Sequence, residues 1–129
     1  MPSFILHLCT APERRVLWRV LLAALLVFIT WLALIPAPPK MITTGWDKSN
    51  HALAFASLAF SSVWGVWQRP RQWGWLALAL VGYGIGIEIA QSFLPPREAD
   101  WHDVVADGVG IAIGLLVAWP VAAGAARRR

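Results

Sequence analysis

The run GIGIEIAQSFLPPREADWHD, residues 84–103, holds a carboxylate, Glu88, inside an otherwise apolar segment, with Gln91 three residues later. Past Pro95 and Pro96 come Arg97, Glu98, Asp100 and Asp103. An ionised carboxylate facing hydrocarbon costs several kcal/mol, so Glu88 must meet partners rather than lipid. Two other stretches offer such partners. In DKSNH, Asp47 and His51 are four residues apart and share a helical face, with Lys48 beside it. In DVVADGVGIAIG, Asp103, Asp107, Gly110 and Gly114 form one stripe, polar at one end and glycine-lined deeper in. The chemistry this set offers is acid–base or ligand-binding. Glu88 and His51 are the candidate acid–base groups, and Arg97 can hold an anionic group such as a phosphate. Structural roles compete with these. Arg97 is close enough to fold back on Glu88 or Asp103, Lys48 can balance Asp107, and Asp47 and Asp103 suit helix N-caps.

The elements that must position these side chains follow from composition. The chain has 129 residues, of which 58% are hydrophobic and nine are Trp. Soluble domains are nearer about 45–50% apolar, so the bilayer is the expected solvent. Four spans of about 20 residues can be traced, at 16–35, 48–67, 73–94 and 103–123, each enough to cross about 30 Å of hydrocarbon at about 1.5 Å per residue. Pro36, Pro38 and Pro39 end the first. It is too long for the apolar core of a cleaved signal peptide and reads as a signal anchor. The second is the least apolar at its start.

The expected architecture is therefore all-α, a single membrane-embedded four-helix bundle over residues 1–129. Of its 11 Lys and Arg residues, only Lys40, Lys48 and Arg97 fall on one side of the spans. Arg14, Arg15, Arg19, Arg69, Arg71 and the basic tail 127–129 fall on the other. The excess of basic residues marks the cytoplasmic side, so both termini are expected there, and the loops 36–47 and 95–102 face outward. The tail arginines fix topology and touch anionic lipid, and nucleic acid is not an expected partner. Cys9 is the one cysteine, which excludes an internal disulfide.

Taken together, Asp47, Lys48 and His51 in DKSNH, Glu88 and Gln91, Arg97, and the run of Asp103, Asp107, Gly110 and Gly114 resemble the VanZ-like family. The likeness covers roughly residues 45–115. That family often carries Asn where this chain has Asp107; an amide donates and accepts, whereas a carboxylate accepts only and adds a charge. The resemblance implies a small multi-pass protein of the bacterial cytoplasmic membrane. It also implies a link to susceptibility to the glycopeptide teicoplanin, because the family takes its name from a member linked to teicoplanin resistance.

The expected binding set is Asp47, Lys48, His51, Glu88, Gln91, Arg97, Asp103 and Asp107, in an outward-facing charged pocket. Trp46 and Trp101 flank it. Its partners would be membrane lipid, a lipid-linked wall precursor or another membrane protein. The favoured function is binding or modulation of such a partner. A membrane-embedded enzyme acting on a lipid or wall precursor is the alternative. A transporter needs a polar track to the cytoplasm, and the inner halves of the spans offer only Ser57, Ser61, Ser62 and Tyr83. His102 adjoins Asp103, but no HExxH or comparable ligand spacing occurs, so no metal and no cofactor are expected.

Overall fold

A computed structural model describes residues 2–36, 47–95 and 97–128, and the backbone alone at Asp47. Among the described residues the protein is all-helical, with 85% of them in helix and no strand. Its elements are α1 (Ser3–Thr10), α2 (Arg15–Leu34), α3 (Asp47–Gly65), α4 (Trp73–Ser92) and α5 (Trp101–Ala126). Short 3₁₀ turns at Pro12–Arg14 and Pro70–Gln72 lead into α2 and α4. Both turns open on proline, whose fixed φ suits the first position of a helix.

Among the described residues, three helical segments are long and apolar enough to cross a membrane: Pro12–Leu34, Pro70–Ser92 and Trp101–Ala126. At about 1.5 Å per residue they reach about 35–39 Å. Helix α3, read from sequence as a fourth span, is not among them, because its first turn holds Lys48, Ser49, Asn50 and His51. It is the central helix of the fold. It packs most extensively on α5, then on α2, and also touches α4. Its Phe55, Leu58, Ala59, Val63 and Trp64 are fully buried, alongside Leu76 of α4 and Ala118 of α5. A helix surrounded by other helices can carry polar groups that a lipid-facing one cannot.

The outer faces are apolar. Val20, Val27 and Trp31 of α2, Trp75, Leu78 and Ile89 of α4, and Leu116 and Val117 of α5 are all exposed. In water so large an apolar surface would drive aggregation; in lipid it carries no penalty. Helix α1, absent from the four spans read in the sequence, is a short amphipathic piece. It buries Leu6 and Cys9, packs on α5, and leaves Phe4 exposed.

The α3–α5 contact is close because α5 is glycine-lined there. A Cβ on Gly110 would strike the carbonyl of Ala52, and one on Gly114 would strike the Ala56 carbonyl and the Ala59 Cβ. These obstacles include backbone atoms, which do not rotate away. The GxxxG spacing thus sets the helix separation, as small residues do in membranes. Gly110→Ala should lower stability by about 1–3 kcal/mol through overpacking. A Cβ at Gly108 meets nothing within 4 Å, so Gly108→Ala should leave stability unchanged or raise it slightly. Thermal melts of the two variants in detergent check this difference.

Candidate functional site

Three helices deliver charged side chains to one end of the bundle. The start of α3 brings Lys48 and His51, the end of α4 brings Glu88, and the start of α5 brings Asp100, Asp103 and Asp107. Asp100 is the N-cap of α5, where its Oδ1 accepts from the His102 amide at 2.9 Å. The cap expected at Asp103 therefore falls three residues earlier. This moves Asp103 into the first turn, where it is buried and faces α3.

Lys48 Nζ donates to Asp100 Oδ2 at 2.8 Å and is also paired with Asp103 Oδ1. His51 Nδ1 lies 2.7 Å from Asp107 Oδ1, and its Nε2 lies 3.5 Å from Asp103 Oδ2. Asp107 has no solvent exposure and sits so near α4 that a Cβ on Gly84 would collide with its Oδ2. Glu88 is buried and accepts the Asp100 amide on Oε2 at 2.9 Å. One oxygen of Glu88, one of Asp103 and a His51 ring nitrogen all lie within 4.8 Å of one another.

Two expected pairings differ. Lys48 balances Asp100 and Asp103 rather than Asp107, because it stands about a turn nearer the start of α3 than His51 does. Arg97 does not fold back on Glu88 or Asp103. Its Nε donates to the Ile35 carbonyl at 2.8 Å and its Nη2 to the Leu32 carbonyl at 2.6 Å. Gln91 Nε2 donates to the Ala33 carbonyl at 3.0 Å. These are carbonyls of the last turn of α2, which have no intrahelical donor. Arg97 and Gln91 thus cap α2 from across the bundle, and the charge set of Lys48, His51, Glu88, Asp100, Asp103 and Asp107 forms beside them.

The side chain of Asp47 and all of Trp46 lie outside the described residues. Trp101 is exposed and stacks on His102 with ring centroids 3.8 Å apart. Sequence reading did not single out Asp100 as a site residue. The signal for it was the helix-start pattern ADWHD, in which the first Asp is as good a cap as the second.

The set ends in hydrocarbon. Below His51, α3 presents Phe55, Leu58 and Ala59, all buried. Tyr83 is engaged elsewhere: its hydroxyl lies 2.6 Å from Thr30 Oγ1 and donates to the Leu26 carbonyl at 3.3 Å. Ser57 and Ser92 donate to carbonyls of their own helices. A shallow groove of about 710 Å³ lies at the opposite end of the molecule, lined by Leu6, His7 and Thr10 of α1 and by Ala125 and Arg128. It is remote from the charged set.

A sequence model of the VanZ/LLP1 family matches residues 10–123. The chain belongs to the VanZ/LLP1 family. No curated protein and no solved structure matches it. Every residue of the charged set falls within the VanZ/LLP1 match, and so do the three long apolar helices up to residue 123. Family membership and these helices together fit a membrane protein.

Electrostatics at the rim of the site are fixed by Lys48. Its ammonium, joined by the backbone and side-chain donors of His102, holds the Asp100 carboxyl below the usual carboxylate range. An acid lowered in this way adds stability above its unfolded-state pKa and loses it as pH falls through the folded value. Replacing Lys48 by Met should return the Asp100 titration towards about 3.9, as read from carboxyl ¹³C shifts against pH. Arg97→Met should cost about 1.5–3 kcal/mol of stability, because it strips charged donors from partly buried carbonyls. Detergent melts of Arg97→Met, compared with Arg69→Met in the α3–α4 connection, check this.

Proposed function

We propose that the protein is an integral component of the bacterial cytoplasmic membrane, in which α2, α3, α4 and α5 cross as a four-helix bundle. Both termini lie on the cytoplasmic side. The charged set opens outward, where it binds or modulates an envelope lipid or a lipid-linked wall precursor. The observation that carries this reading is the opposition of two charged ends. Arg19 Nε donates to the Gly65 carbonyl at 2.9 Å, so the start of α2 and the end of α3 share one end of the bundle. That end also has Arg69 and Arg71 in the connection to α4. The buried acids, with Lys48 and His51, occupy the other end. The positive-inside rule then orients the protein. Helix α3, at 19 residues, reaches about 28 Å, close to the hydrocarbon thickness.

Binding is favoured over catalysis because Arg97, the group expected to hold a phosphate in the enzyme reading, turns its Nε and Nη2 to α2 carbonyls. The enzyme reading keeps one specific support. Asp107 is placed to orient His51, as an acid–base pair requires. A change in glycopeptide (teicoplanin) susceptibility is the phenotype we propose first.

The test is expression of the wild-type chain, His51→Ala, Glu88→Asp, Glu88→Gln and Asp107→Asn at matched membrane abundance in a teicoplanin-susceptible host. It is paired with native mass spectrometry of each protein released from nanodiscs. The binding reading expects the wild type to shift the inhibitory concentration and to retain a lipid or precursor mass. His51→Ala and Asp107→Asn lose both, and Glu88→Asp keeps both. Retained mass without effect in Glu88→Gln favours the enzyme. A retained protein in place of a lipid makes the partner a membrane protein. Equal behaviour of all folded variants removes the charged set from the function.

A further inference from the structure

We propose that His51, Glu88 and Asp103 form a binding site for a divalent transition-metal ion of the Zn²⁺ class, with Asp107 as the carboxylate that orients His51. The inference rests on the geometry of these residues alone and is independent of the ligand proposed above. The three side chains arrive from α3, α4 and α5, which is why no ligand spacing is visible along the chain.

The His51–Asp103 distance fits an ion between the two better than a direct contact. Ligands about 2.0–2.2 Å from one tetrahedral ion stand about 3.4 Å from each other. His51 Nε2 and Asp103 Oδ2 are 3.5 Å apart. A hydrogen bond from a charged imidazolium to a carboxylate is shorter, about 2.7–2.9 Å. The same ring shows what such a contact looks like on its other side, where Nδ1 stands 2.7 Å from Asp107 Oδ1. An ionised Asp107 only accepts, so Nδ1 donates to it, and when the ring is neutral Nε2 presents its lone pair towards Asp103. A lone pair facing an anionic oxygen is repulsive until a cation lies between them. A carboxylate behind a ligating histidine is the arrangement that fixes the ring and raises its basicity.

A second observation comes from Glu88, which is 7% exposed. Its Oε2 takes the Asp100 amide, while Oε1 is buried with no hydrogen-bond partner among the described residues. A buried carboxylate oxygen left without a donor is costly, and a metal ion is one of the few groups that repay it. Charge agrees. Glu88, Asp100, Asp103 and Asp107 face Lys48 as the one lysine hydrogen-bonded within the set, and Lys48 uses Oδ1 of Asp103, not the Oδ2 turned to His51. One imidazole with carboxylates suits zinc-like ions, whereas Mg²⁺ and Ca²⁺ prefer all-oxygen sites. The ion has a way in from the polar end, past Lys48 and Asp100, whose side chains are partly exposed.

The test uses the full chain, free of any histidine tag, purified in detergent, stripped with chelator and reloaded with Zn²⁺. Bound metal is measured by mass spectrometry of the element and affinity by calorimetry. One equivalent per chain is expected. Glu88→Gln and Asp103→Asn should abolish it, and Asp107→Asn should weaken it by about 10–100-fold. His7→Ala and His102→Ala should leave it intact. Co²⁺ loading of the wild type supplies an arm that needs no variant to fold: strong visible bands of a tetrahedral site with imidazole ligation are expected. The proposal is overturned if the reloaded wild type stays metal-free. It is also overturned if the metal is lost with His7 or His102 but kept in folded Glu88→Gln, or if Co²⁺ is octahedral with oxygen ligands alone.

Discussion

The close approach of α3 and α5 is the constraint on which the molecule depends. Gly110 and Gly114 let the backbone carbonyls of Ala52 and Ala56 sit where side chains would otherwise stand. In hydrocarbon, helices gain nothing from hiding apolar surface from water, so packing and polar contacts must hold them together. Two glycines on one stripe supply the packing. The same stripe continues, a turn further along, into Asp107 and Asp103. The contact that lets the helices meet therefore also fixes how near these acids come to Lys48 and His51.

That proximity sets the electrostatics. Acids brought together in a low-dielectric interior repel one another unless each finds a donor or a cation. Asp103 meets Lys48, Asp107 meets His51, and Glu88 takes the backbone amide at the start of α5. The polar groups thus act as ties between helices as well as a candidate site. A charge removed from one helix is felt on two others.

Helix α2 is held by a different means. None of its residues is fully buried, and Val20, Val27 and Trp31 are among its many exposed apolar side chains. Side chains from elsewhere reach its backbone or hydroxyls: Arg97 and Gln91 at its last turn, and Tyr83 at Leu26 and Thr30. At its other end its own Arg19 reaches across to α3. Each such bond satisfies a group that lipid cannot, so a few of them fasten a helix that packing alone would hold loosely.

Much of this was legible without coordinates. Apolar run lengths, proline breaks and the spacing of the Asp and Gly stripes located the four long helices, though not α1, to within a few residues, because these features act within one helix. The inward turn of Glu88 was legible too, since a lone carboxylate in a greasy run has one inexpensive direction to face. Pairing was not. Arg97 lies nine residues from Glu88 and six from Asp103, yet it goes to α2, whose last carbonyls lack intrahelical donors, while Asp103 is paired with Lys48 and Glu88 takes the Asp100 amide. Lys48 and His51 divide Asp100, Asp103 and Asp107 between them according to the relative height of α3 and α5. That height is set by where Ala52 and Ala56 meet Gly110 and Gly114, a contact between residues more than fifty positions apart. By itself the sequence determined which groups must avoid lipid; only the tertiary structure decided which of them meet, because helix register is a property of two surfaces and not of either strip of residues alone.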